Sequence, residues 1–204
     1  MTSMSDAPAG DRPVGLRERK KARTRAAIRE HALRLFREQG YHATTVEQIA
    51  EAAEVSPSTF FRYFPTKEDV VLQDDFDLVA IEAFEAQPAG MGVVAAYRAA
   101  AAQMFASLTP EELVRFREST ELTLTIPEVR ARALDEFARS IDVTAEAIAR
   151  RTGRAASDAA VRSVAGALVG VVMAATMPWA SGPTEDMFER IDAGLAHLEA
   201  GLPL

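Results

Sequence analysis

The residue types best able to do chemistry gather between Gly40 and Val70, in the stretch GYHATTVEQIAEAAEVSPSTFFRYFPTKEDV. Phe60 and Phe64 lie four apart on a short predicted helix, which turns both inward against Ile49, Val55 and Phe36 and leaves Ser58, Phe61 and Arg62 facing out. An outward phenylalanine is costly unless it meets an apolar surface, and the methyl group of thymine in the major groove is one. Phosphate oxygens call for hydroxyl, N–H or cationic donors near helix ends, where the macrodipole already favours anions. Thr45, Tyr63 and Lys67 supply them, and Pro57 and Thr59 share the outer helix with Ser58. Upstream, Arg17, Arg19, Lys20, Lys21, Arg23 and Arg25 form a basic run able to follow a nucleic-acid backbone, with Arg17, Lys20 and Lys21 the first candidates.

Those side chains need helices to hold them, and helical spacing of apolar residues runs along nearly the whole chain with no convincing period-two segment. The expected fold is all-α with nine helices. The first is expected over 16–39, with Ile28, Ala32, Leu35 and Phe36 on one face and Gly40 as its stop. Thr44 or Thr45 caps the second. The third spans Pro57 to Phe64 after a break at 54–56, and Thr66 with Asp69 makes a capping box for a fourth that continues to Glu85. Later starts fall at Val93, at Thr109-Pro110 with Glu112, and at Pro127. The helix from Pro127 sets Leu134, Phe137, Ile141, Ala145 and Ile148 three or four apart as far as Gly153. The last two helices are expected over 157–177 and 184–200. Residues 1–15 read as a disordered tail, 16–68 as a helix-turn-helix domain and 69–204 as a second helical domain.

The net charge is −7, but residues 1–68 balance at +3 and the remainder at −10, as suits a basic head on an acidic body. The chain has no cysteine, which removes disulfides, thiolate metal sites and thiol nucleophiles and suits a reducing cytoplasm. His31, His42 and His197 are too scattered to pair as metal ligands, so neither metal nor cofactor is expected. The start of the chain lacks the apolar stretch of a signal peptide. Val164 to Ala180 is uncharged and long enough to raise a membrane question. Its dilution by Ala, Gly, Thr and Pro, and Arg162 at its mouth, favour a helix with one face on the core and another on a partner subunit. Gly166, Ala167, Gly170 and Ala174 would permit that close approach, and no membrane partner is expected.

The head resembles the TetR family of transcription regulators. The resemblance rests on Gly40, Thr44-Thr45-Val46, Ile49-Ala50, Val55-Ser56, Thr59-Phe60-Phe61, Tyr63-Phe64 and Lys67-Glu68, within about residues 16–70. Glu54 stands where a turn glycine is common, Ser58 where glycine is common and Phe61 where tyrosine is usual. The resemblance implies a ligand-responsive repressor that binds a double-stranded DNA operator as a homodimer paired through its last two helices, with an effector pocket in residues 70–204. The C-terminal half is similar to the subgroup with an acyl-CoA-like ligand-binding domain, related to the mycofactocin-system regulator, which implies an acyl-CoA-like or other small apolar effector.

Large or adaptable apolar side chains suit such a pocket: Phe84, Tyr97, Met104, Phe105 and Phe116, then Phe137, Met173 and Met177. Thr120, Glu121, Thr123 and Thr125 are polar among apolar neighbours, and a ligand could supply the partners they need. Arg98, Arg115 and Arg117 are cations available to ligand phosphates. Two rival readings differ in class. An enzyme lacks its phosphate loop, metal cluster or nucleophile with a nearby histidine, and a helical protein–protein adaptor leaves the polar edge of the head unexplained.

Overall fold

Helix α1 (Leu16–Gln39) ends where Gly40, at φ +87°, donates its N–H to the Phe36 carbonyl at 2.9 Å. A side chain would strain that left-handed position, which is why glycine closes the helix. The computed structural model describes residues 16–72, 76–176 and 187–203, and the chain divides into a unit ending at Tyr63 and another starting at Phe64. All regular structure among the described residues is helical.

In the first unit, α1 is followed by α2 (Val46–Ala52) and α3 (Pro57–Tyr63). Thr45 caps α2 in a reciprocal box: Gln48 N–H donates to Thr45 Oγ1 at 3.2 Å, and Thr45 N–H to Gln48 Oε1 at 2.9 Å. Ser56 caps α3 by accepting the Thr59 N–H at 3.1 Å. Ile28, Ala32, Phe36, Ile49, Ala50 and Phe60 are buried. Leu33, and not Leu35, completes the α1 face, because the buried stripe through 28, 32 and 36 turns toward the Leu33 edge.

The second unit holds α4 (Lys67–Leu72), α5 (Phe76–Glu85), α6 (Val93–Ser107), α7 (Pro110–Thr125), α8 (Pro127–Thr152), α9 (Ala159–Thr176) and α10 (Met187–Glu199). The described residues thus give ten helices against the nine expected. The expected fourth helix shows as α4 and α5, with 73–75 outside the described residues. Thr66 and Asp69 form the expected box on α4, and Thr109 with Glu112 forms another on α7. The Thr109 backbone N–H holds the Glu112 carboxyl below the usual range.

The core of this unit lies where α5, α6, α8, α9 and α10 meet, around Phe84, Ala100, Ile148, Leu168, Ile191 and Leu195. Small residues let the helices close up: a Cβ built on Gly194 of α10 would sit 2.6 Å from Val171 Cγ1 of α9, so the missing side chain leaves the space that Val171 fills. One expected core position is wrong. Leu134 is 53% exposed, and Ala133 takes the inward place one residue earlier, between Val129 and Phe137. Arg151 anchors the turn after α5 by donating to the carbonyls of Gln87, Pro88 and Met91 while lying over the Phe84 ring.

Candidate functional site

The polar edge of α3 is open. Pro57, Ser58, Phe61 and Arg62 are exposed, Thr59 and Tyr63 are half-buried, and Phe60 on the opposite side is fully buried. Phe61 is 50% exposed, and its ring stands edge-on to Phe60 with centroids 5.4 Å apart, so the outward side chain is braced from behind. The Arg62 guanidinium lies 5.4 Å from the Tyr63 ring centre, a cation–π contact that orients it along the helix end. Thr45 is exposed at the head of α2 with its hydroxyl oxygen accepting the Gln48 N–H, which leaves the hydroxyl proton to point elsewhere. Arg17, Lys20 and Lys21 are exposed at i, i+3 and i+4 on the first turns of α1 and so share one face.

Glu54, between α2 and α3, has φ +54°. Its non-glycine side chain therefore occupies the left-handed region that the sequence marked as a point of strain. The turn holds because the Glu54 N–H donates to Glu51 O and the Val55 N–H to Ala50 O.

In the second unit, Lys67 begins α4 and is half-buried. Asp69, two residues on, has no exposed surface. One of its carboxylate oxygens accepts the Thr66 N–H at 2.9 Å, and the other accepts Arg132 Nε of α8 at 3.0 Å. The same guanidinium donates to Asp135 at 3.0 Å, and these carboxylates, Asp69 first, hold it charged further above its ordinary range. The sequence signalled the cap but not this cross-helix pair, because nothing in local spacing relates position 69 to position 132.

A cavity of about 240 Å³ opens in the second unit. Val71 and Leu72 of α4 contribute one wall, and α6, α7 and α8 most of the rest. Tyr97, Met104, Phe105, Phe116, Thr120, Thr123 and Phe137 all line it. Phe84 does not: it is packed in the core against Tyr97 and Arg151. Met173 is half-buried on α9 away from the lining, where Val172 and Thr176 face the space instead, and Met177 lies outside the described residues. Glu121 and Thr125 are exposed, since the inward face of α7 runs through 116, 119, 120 and 123. Sequence reading missed Ser119, Glu136 and Ser140, although the same period on α8, through 133, 136, 137 and 140, carries the last two. Arg98 is engaged elsewhere, donating to Asp192 at 2.7 and 2.9 Å and to Glu199 at 3.3 Å, and it holds the Asp192 carboxyl below its usual range.

A braced, outward-facing third helix in a three-helix head, followed by an all-α unit around an apolar cavity, defines the class of helix-turn-helix DNA-binding transcription regulators. Residues 28–73 match the family model described as bacterial regulatory proteins, tetR family, and residues 91–203 match that of the MftR C-terminal domain. The chain belongs to the TetR family, with an MftR-type C-terminal domain. A protein of Mycobacterium tuberculosis named as a mycofactocin biosynthesis transcriptional regulator, MftR, is 26% identical over 90% of this chain and 93% of its own length. The regulator TcmR of Streptomyces glaucescens is 54% identical over 37% of this chain, a match spanning only 34% of TcmR. Among solved structures, Thermus thermophilus FadR, a TetR-family repressor in complex with lauroyl-CoA, is 28% identical. It superposes with TM-score 0.56 over 88% of this chain and 95% of its own. SmeT, the repressor of a Stenotrophomonas maltophilia multidrug efflux pump, shares the fold at 22% identity and TM-score 0.55, over 87% and 89% of the two chains. Members of this family are transcription regulators and not enzymes, and nothing in these similarities favours an adaptor.

Proposed function

We propose that this regulator acts in the cytoplasm as a homodimeric repressor, released from a palindromic operator when a small, largely apolar effector fills the cavity of the second unit. The observation that carries the reading is the cavity wall contributed by α4, because Val71 and Leu72 lie on the helix that follows the α3 recognition segment in the chain. An occupant that moves α4 acts on the chain leading back to α3. Two recognition helices must enter grooves roughly 34–36 Å apart, so a shift of a few ångströms is enough to lose the operator. Acyl-CoA esters are the first effector class to try, supported by the MftR-type domain and by the lauroyl-CoA complex of FadR. Base readout is assigned to Ser58, Phe61 and Arg62, with Pro57 and Thr59 shaping their approach. Phosphate contacts are assigned to Thr45, Tyr63, Lys67, Arg17, Lys20 and Lys21.

The test is a gel shift on the DNA upstream of the coding sequence, with and without lauroyl-CoA and shorter acyl-CoA esters. Loss of the shifted band on ester addition is expected. A band that survives every ester counts against the acyl-CoA class, and no band without ester counts against the operator assignment.

Pairing is assigned to the outer face of α9 together with α10. Helix α9 is, among the described residues, long and apolar enough by composition to cross a membrane. However, Val161, Ala165, Leu168 and Val169 are buried in the core, and Gly170 and Ala174 on the other face are exposed in the single chain. A Cβ at Gly170 meets nothing within 4 Å, so Gly170→Arg fits the isolated subunit. In light scattering this variant is expected to run as a monomer with unchanged helical content; a persisting dimer would remove that face from the interface.

A further inference from the structure

Three carboxylates share the guanidinium of Arg132, and one of them faces the cavity. Arg132 donates from Nε to Asp69 of α4 at 3.0 Å and from Nη1 to Asp135 at 3.0 Å, while Nη2 is ion-paired with Glu136 Oε1 at 3.8 Å. Asp135 is exposed and does not line the cavity. Glu136 does, as the one charged residue among the described lining residues. Its Oε1 is buried, is also ion-paired with Arg139 Nη2 at 3.2 Å, and accepts no hydrogen bond from either guanidinium. A closed bond between a guanidinium and a carboxylate measures about 2.7–2.9 Å. The Arg132 side of this pair therefore stands open by roughly an ångström, and Arg139 has less distance left to travel.

Resting on the reading of this cavity as the effector site, the geometry points to Glu136 as the residue that passes cavity occupancy to α4, by competing with Asp69 for Arg132. An apolar occupant replaces water beside the Glu136 carboxylate, which raises the cost of its charge and strengthens its pull on a nearby cation. A guanidinium is a rigid plane, so the turn that brings Nη2 onto Glu136 draws Nε away from Asp69. Asp69 is wholly buried and caps α4: it accepts the Thr66 N–H at 2.9 Å, and its own N–H donates to Thr66 Oγ1 at 3.2 Å. Loosening its charge partner is thus felt at the first turn of α4, the helix next in the chain after α3. Glu136 is a positioning residue in this scheme, because it touches the occupant and acts on DNA only through Arg132 and Asp69.

The relay is tested on the full chain by measuring operator affinity with and without a saturating probe, lauroyl-CoA in one series and 1-octanol in the other. The ratio of the two affinities is the coupling, and at saturation it does not depend on how tightly the probe binds. In the unsubstituted protein the ratio is expected to be about tenfold or more, within the usual span of about 5–150-fold. Glu136→Gln, which keeps the shape and removes the charge, is expected to bring it to about twofold or less. Arg132→Lys, which keeps a charge beside Asp69 but not the rigid fork, is expected to lower it likewise. Asp135→Asn removes a carboxylate from the same guanidinium but none from the cavity, and is expected to leave the ratio unchanged. Operator binding without probe checks that each variant folds. An undiminished ratio in Glu136→Gln, or an equal loss in Asp135→Asn, overturns the relay and leaves the effector cavity standing. If neither probe changes operator affinity in the unsubstituted protein, the effector cavity and the relay fall together.

Discussion

Arg132→Met is expected to lower the unfolding free energy by about 3 kcal/mol, since removing one partner of a buried ion pair leaves the other charge uncompensated. Asp69 is wholly buried and, among the described residues, keeps only the Thr66 N–H once the guanidinium is gone. Arg132 is itself a quarter exposed, so water reaches its end of the pair and the loss falls at the lower end of the range for buried pairs. For a chain of this length the melting temperature should fall by about 6–12 °C at fixed protein concentration. The double variant Asp69→Asn with Arg132→Met is expected to recover part of that loss, because a neutral amide keeps a capping oxygen and no longer strands a charge. A loss below about 1 kcal/mol in the single variant would class the pair with ordinary surface bridges and show that Asp69 is solvated by another route. The pair has a functional side too. It ties α4 to α8, and both helices line the cavity, so the variants are also expected to weaken the coupling between effector and DNA.

What could be read in advance was set by local rules. Caps at Thr45, Thr66 and Thr109, stops at Gly40 and Gly153, and the inward pair Phe60 and Phe64 depend on residues within four positions of one another, and sequence displays that spacing directly. The left-handed Glu54 was legible for the same reason. The buried face of α8 was less so. An amphipathic stripe fixes a face to within a residue on either side, and the neighbouring helices decided that Ala133 turns in and Leu134 out. The cavity was legible only in part. Aromatic and methionine side chains suit a pocket and a core equally, so Phe84 and Met104 looked alike, yet Arg151 and Tyr97 claim Phe84 while Met104 faces the space. Glu136 gave no signal, because a lone glutamate on a charged helix reads as solvated until α7 is seen packed against α8. Asp69 with Arg132 joins residues 63 positions apart, beyond any periodic rule.

The head allows the sharpest separation of roles. Affinity for the operator is expected to fall by about three orders of magnitude between 50 and 200 mM salt, as for a protein that neutralises several phosphates. Lys67→Ala is expected to weaken binding on every duplex alike and to reduce the salt slope by about one per subunit. Tyr63→Phe removes one hydroxyl and keeps the ring beneath Arg62, so it should likewise lower affinity evenly, with little change in slope. Ser58→Ala and Phe61→Ala act differently, because these side chains stand on the exposed edge of α3 with Phe60 fixing the ring from behind. Losing Phe61 is expected to cost about 1–3 kcal/mol on the preferred site and far less on one whose matching thymine is replaced, with the salt slope unchanged. Fluorescence anisotropy on the operator and on single-base variants, at several salt concentrations, measures both quantities. Equal losses on all sequences from all four variants would mean that α3 holds the backbone and reads no base, which would move specificity to the deformability of the DNA or to the basic turns of α1.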